Sequence, residues 1–78
     1  MDYLFVYSKD NCPWCDRAKE LIKSHGRKYI EIDIGKNPQW MPKEFRTVPQ
    51  VWDGSVHIGG YEDLETHLEL IRYLRKSA

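Results

Sequence analysis

The apolar positions change period along the chain. Tyr3-Leu4-Phe5-Val6-Tyr7 is a short, nearly continuous run of strand-forming residues, the pattern of a central strand covered on both faces. From Trp14 the apolar positions Trp14, Ala18, Leu21, Ile22 and His25 recur at helical offsets, with Asp16, Arg17, Lys19, Glu20 and Lys23 on the other face. Pro13 suits the first helical position and Gly26 the left-handed residue just past the end. Residues Lys28 to Ile34 then alternate, which predicts a second strand with Ile30, Ile32 and Ile34 on its apolar face. Residues 35–46 hold Pro38 and Pro42 and no clean period, so they support at most a short helix or two turns. Gln50-Val51-Trp52 and Ser55-Val56-His57-Ile58 flank Asp53-Gly54, a two-residue hairpin signal with both turn positions at positive φ. After Gly59-Gly60 a last helix is marked by the stripe Leu64, Leu68, Ile71 and Leu74 or Arg75, with His67 and Leu70 beside it. Its acids come early and its bases late, which complements the helix dipole.

The order is therefore β-α-β-(α)-β-β-α, an α/β arrangement with no repeat or linker. At 78 residues the chain has room for a single small domain, 1–78. Twelve Lys+Arg balance twelve Asp+Glu, and no basic run is present, which argues against nucleic-acid binding. No stretch approaches the ~18 apolar residues of a membrane span. The start Met1-Asp2-Tyr3 lacks a signal-peptide layout, so a cytoplasmic location is expected.

The two cysteines, Cys12 and Cys15, enclose two residues, so a bond between them removes little entropy from the unfolded chain and is a poor structural staple. A zinc site needs about four ligands, and His25, His57 and His67 are scattered without a second ligand pair, so no metal is expected. Redox chemistry is left as the natural use of a Cys-x-x-Cys between a strand and a helix. Cys12 falls at the helix start, where free N–H groups and the positive end of the dipole favour a thiolate. Such placement typically brings a cysteine pKa from ~8.5 into the range ~3.5–7.5. Cys15, one turn further in, should be less acidic and more buried. An exposed nucleophile beside a protected resolving thiol is the pairing that thiol–disulfide exchange requires.

Three motifs in this order, Lys9-Asp10-Asn11-Cys12-Pro13-Trp14-Cys15, Thr47-Val48-Pro49 and Gly59-Gly60-Tyr61-Glu62-Asp63-Leu64, resemble the glutaredoxin family. The chain looks like a small dithiol glutaredoxin of the short bacterial or phage kind. The resemblance implies a thioredoxin fold with a central mixed four-stranded sheet and a short or irregular second helix. It implies glutathione as reductant and cosubstrate, with Cys12 as the nucleophile and Cys15 as the resolving thiol. The Thr47-Val48-Pro49 loop would carry a cis proline and offer the Val48 backbone to the glutathione cysteine. Gly59 and Gly60 would let the chain pass close to the ligand. Tyr61, Glu62 and Asp63 would receive the γ-glutamyl end at a helix N-terminus, Asp63 pairing with its ammonium group. Lys9 would meet the glycyl carboxylate, helped by one of Gln39, Lys43 and Arg46, with Arg46 ranked first because it directly precedes the loop. Trp14, placed between the thiols, would be exposed beside the site, and Tyr7 would either cover glutathione or belong to the core.

Expected partners are glutathione and disulfide-containing or glutathionylated proteins, ribonucleotide reductase among them, met by a monomer. Trp14 departs from the tyrosine commonest between the family's cysteines, and Pro42 breaks the segment where the family has its second helix. The alternatives are a dithiol donor reduced by thioredoxin reductase and, with Pro13 against it, an iron–sulfur module.

Overall fold

The computed structural model describes residues 3–77; Met1-Asp2, on which part of the leader-peptide reading rests, and Ala78 lie outside the described residues. Strand β1 (Tyr3–Ser8) leads through a short loop into helix α1 (Pro13–Ser24), and β2 (Lys28–Asp33) follows. A single 3-10 turn at Pro38–Trp40 and a turn closed by the Phe45 N–H donating to the Pro42 carbonyl (3.1 Å) fill the proline-broken segment. The hairpin β3 (Gln50–Asp53) and β4 (Val56–Gly59) and helix α2 (Tyr61–Ser77) complete the chain. The strands form one mixed sheet in the order β2-β1-β3-β4, with β1 parallel to β2 and antiparallel to β3.

Local chemistry sets the ends of α1. Pro13 occupies the first turn, Cys12 is the N-cap, and Gly26 takes φ +70° just beyond the C-cap residue His25. The core lies between the sheet and the two helices: Leu4, Val6 and Val51 from the strands meet Ala18 and Ile22 of α1 and Leu64 and Leu68 of α2. Each large member contributes roughly 1.5–3 kcal/mol by leaving water.

Four details of the sequence reading are corrected by the register. First, β1 is central but covered on one face only: Leu4, Val6 and Ser8 are fully buried beneath the helices, while Phe5 and Tyr7 on the other face are half-buried. Among the described residues no helix lies over that face, since the proline-broken segment forms only short turns; Phe45 packs there, 5.3 Å from Trp52 and 4.5 Å from His57 between ring centroids. Second, pairing of Phe5 with Ile30 and Tyr7 with Ile32 puts the isoleucines on this thinly covered face, so Ile30 is 44% exposed. The core-side position of β2 is Tyr29, and Glu31 beside it accepts hydrogen bonds from the buried Ser8 hydroxyl (2.5 Å) and from Lys19 of α1 (2.9 Å).

Third, the hairpin turn is Gly54-Ser55: Asp53 pairs with Val56 inside the ladder, and only Gly54 has a positive φ (+62°). A positive φ confined to the first loop position is the requirement of a type II′ turn. Fourth, the apolar stripe of α2 contributes Leu64 and Leu68 to the core; Ile71 is only half-buried, and Leu74 and Arg75 are exposed. A 17-residue helix runs about 25 Å, longer than the four- to six-residue strands it packs on, so its last turns overhang.

Candidate active site

The loop from β1 to α1 presents Cys12. Asn11 takes φ +57°, a left-handed conformation that asparagine tolerates better than most residues, and turns the chain into the helix. Cys12 then has extended backbone (φ −125°, ψ 93°); its carbonyl accepts from the Asp16 N–H (3.1 Å) and its Sγ from the Cys15 N–H (3.2 Å). A sulfur that caps a helix receives an N–H with no helical acceptor, and the capping bond and the dipole both favour its negative form. Cys12 and Cys15 are joined as a disulfide; Cys12 is 8% exposed and Cys15 is fully buried. The sulfur that a partner can reach is therefore that of Cys12.

On the other side of the sulfur runs the loop before β3. The Val48–Pro49 bond is cis, and the Val48 carbonyl lies 3.9 Å from Cys12 Sγ. A polar chain fastens this loop to the sheet: the Gln50 amide nitrogen donates to Thr47 Oγ1 (3.3 Å), and Gln50 Oε1 lies 2.7 Å from His57 Nε2. Gln50 is nearly buried, so its position fixes Thr47 from below. Sequence reasoning had no reason to single it out, since its role depends on pairing across the sheet.

Two grooves meet at Thr47 and Val48. One, of about 370 Å³, is lined by Cys12, Lys9 and Arg46, with Asn11, Pro13, Ile34, Met41 and Phe45 forming the rest of its wall. The other, of about 210 Å³, runs between Trp14, Pro49, Gly60, Tyr61 and Glu62. Of the three residues considered for the glycyl end, only Arg46 lines the first groove; Gln39 and Lys43 do not. Trp14 is 51% exposed, tilted against Tyr61 at 5.3 Å, with the Arg17 guanidinium 4.7 Å from its ring centre. Tyr7 lines neither groove and packs on Trp52 at 5.0 Å across the far face, so it is a sheet residue.

The two glycines before α2 differ. Gly59 has φ +127°, and a Cβ there would fall 2.9 Å from Asp63 Cβ and Cγ and closer still to Oδ2; Gly60 has room for one, its nearest neighbour the Pro49 carbonyl at 3.7 Å. Within the chain the close approach is that of Gly59 to Asp63; Gly60 lines the second groove and is the first carbonyl of α2, accepting from the Leu64 N–H (3.0 Å). Asp63 lies just outside the second groove, exposed, its carboxylate folded against Gly59. The apolar wall of Ile34, Met41 and Phe45 was not legible beforehand, because it comes from the segment with no period.

A largely buried but reachable sulfur capping a helix, with a second sulfur behind it and a proline loop opposite, is built for disulfide exchange. Fold and site together place this protein among the thiol–disulfide oxidoreductases. The solved glutaredoxin of Brucella melitensis superposes with a TM-score of 0.76 at 34% identity, covering 97% of this chain and 87% of that one. A buckwheat glutaredoxin–glutathione complex gives a TM-score of 0.68, also at 34% identity, over 85% of this chain and 68% of that one. Glutaredoxin 3 of Escherichia coli K12 is 39% identical over 64 residues, 76% of this chain and 77% of its own. The Glutaredoxin family model matches residues 4–58. The chain belongs to the glutaredoxin family, and its fold is thioredoxin-like. No helix among the described residues is long and apolar enough to cross a membrane, and no three His, Cys, Asp or Glu side chains gather there as a metal-binding group.

Proposed function

We propose that this protein uses glutathione to reduce glutathione mixed disulfides and protein disulfides. The observation that carries the reading is the pair of grooves meeting beside Cys12, one with the cations Lys9 and Arg46, the other at the N-terminus of α2 with Glu62 and, at its margin, Asp63. A zwitterionic tripeptide has a carboxylate for the first and an ammonium and carboxylate for the second. The Val48 backbone lies between them, where an extended peptide would pair with it. The buckwheat relative's complex with glutathione supports the same ligand here.

In the one-thiol route, the Cys12 thiolate attacks the glutathione sulfur of a mixed disulfide. The old S–S bond breaks, and the departing thiolate takes a proton from water. A second glutathione thiolate then attacks the Cys12–glutathione bond, releasing oxidised glutathione and the Cys12 thiolate. In the two-thiol route, Cys12 attacks a protein disulfide and Cys15 attacks the Cys12 sulfur of the adduct. The substrate leaves as a dithiol, and two glutathiones later reduce the Cys12–Cys15 bond. Cys15, fully buried behind Cys12, is reached by Cys12 and by little else. Family membership supports cytoplasmic protein disulfides, including that of ribonucleotide reductase, as substrates of a monomer.

The deciding experiment is turnover of a glutathionylated peptide by the Cys15→Ser variant with glutathione and glutathione reductase. Sustained turnover is expected. A folded variant that is inactive, beside a wild type reduced by thioredoxin reductase and untouched by glutathione, would overturn the assignment of glutathione.

A further inference from the structure

At the end of α1 away from Cys12, some 18 Å along the helix, lies a second cavity of about 370 Å³ between α1 and the last turns of α2. Its charged lining is wholly basic: Arg27, Arg72, Arg75 and Lys76, with His25 beside them. Disulfide exchange does not use this place.

The C-terminal end of a helix attracts cations, and that accounts for Arg75 and Lys76 in the last turn of α2, with Arg72 shortly before them. Arg27, two residues past the C-cap of α1, is favoured by that helix's dipole as well, but the dipole does not supply its side chain with hydrogen-bond partners. This residue stands in the turn before β2, its side chain only 8% exposed, and its nearest acid is Asp53 at 3.7 Å. Asp53 Oδ2 is held more closely by His67 Nε2, at 3.1 Å, and Arg27 Nε has no hydrogen-bond partner among the described residues. A guanidinium taken this far from water without close partners is costly. The other acid nearby, Glu69, is 3.6 Å from His25 Nε2 and 3.9 Å from Arg72, whereas Arg75 and Lys76 have no acid within 4.0 Å among the described residues. Three carbonyls of the last turns of α1 are already engaged. Those of Leu21, Ile22 and Lys23 accept from the His25, Gly26 and Arg27 N–H groups.

We propose that this cavity binds a small polyanion carrying two or more phosphate groups, held by Arg27 from within and by Arg72, Arg75 and Lys76 at the rim. Guanidinium forks match paired phosphate oxygens, and three arginines converging on one space exceed what a single carboxylate can occupy. Two sources share this chemistry, a bare polyphosphate and a nucleoside polyphosphate.

The test titrates metal-free tripolyphosphate and ATP, separately, into ¹⁵N-labelled protein at about 0.15 M salt, where weak surface attraction is screened. Saturable shifts of the His25, Gly26 and Arg27 amides are expected. The Arg72→Ala/Arg75→Ala variant, altered at two exposed residues, should fold normally, turn over disulfides at the wild-type rate and bind at least about tenfold more weakly. Equal affinity for the two probes would assign recognition to the phosphates alone, and preference for ATP would assign the source to a nucleotide; both sustain the site. Shifts that do not saturate, that centre on Lys9 and Arg46, or that survive in the double variant would overturn it.

Discussion

Replacing Gly59 by alanine should damage this protein far more than the same change at Gly60, one residue later. At Gly59 the backbone has φ +127°, a region that residues with a Cβ rarely enter, at a cost of about 1–3 kcal/mol. The new methyl would also stand 2.9 Å from Asp63 Cβ. The Asp63 carboxylate is exposed and can swing aside, but its Cβ is fixed to the first turn of α2. That turn must move by roughly 0.6 Å to restore an ordinary contact of ~3.5 Å. Strain and displacement together amount to about 3 kcal/mol, which lowers the melting temperature of a domain this size by about 12–24 °C. Gly60 is outside the left-handed region and has its nearest neighbour at 3.7 Å. Gly60→Ala should therefore lie within about 1 kcal/mol of wild type, with a gain from the less flexible unfolded chain. Urea unfolding followed by circular dichroism measures both. Because α2 carries Glu62 and Asp63, Gly59→Ala should also raise the KM for a glutathionylated peptide while leaving direct alkylation of Cys12 unchanged. Equal stability losses at the two glycines, or a loss below about 1 kcal/mol at Gly59, would refute the reasoning.

In reduced protein Cys12 should titrate well below Cys15, because Cys12 caps the helix and Cys15 is buried; alkylation by iodoacetamide against pH reads this, and ordinary free-thiol behaviour at Cys12 would remove the capping argument. Lys9→Ala and Arg46→Ala should each raise the KM for glutathionylated peptide about three- to tenfold with little change in kcat, the signature of lost uniform binding. A fall in kcat alone would mean that these cations act on the sulfur and not on the carboxylate. The Ser8 hydroxyl and the Lys19 ammonium hold Glu31 below the ordinary carboxyl value of 4.5, and Glu31 in turn raises Lys19. A lowered carboxyl stabilises the fold above its unfolded pKa and loses that contribution as pH falls through its folded value. With the Glu31 side chain 39% exposed, Glu31→Gln should cost about 1 kcal/mol at neutral pH. The gap from wild type should shrink as pH falls below the ordinary carboxyl value and through the lowered folded one; a gap that does not shrink as the carboxyl is protonated would show that packing, and not charge, binds α1 to β2.

Much of the fold is local and was readable before any contact was known. Pro13 and Gly26 bound α1, Gly54 marks the hairpin within one residue, and Pro38 and Pro42 limit the middle segment to turns. The chemistry of Cys12 and Cys15 is equally local, since the N-cap and the next turn of one helix set both environments.

Three-dimensional pairing decided the rest. Alternation in Lys28–Ile34 shows that one face differs from the other, but only the register with β1 decides that Tyr29 faces the core and the isoleucines the open side. That Arg46 lines the groove beside Cys12 while Gln39 and Lys43 do not, and that Ile34, Met41 and Phe45 form its wall, depends on how an aperiodic segment folds over the end of the sheet. Gln50 steadies Thr47, and Arg27 stands buried with too few partners, for reasons that lie many residues away in β4, β3 and α2. Period and caps are written into neighbouring residues because they arise from the backbone's own geometry. Faces, grooves and unpaired charges arise from which distant segments meet, and those meetings are decided when the core closes.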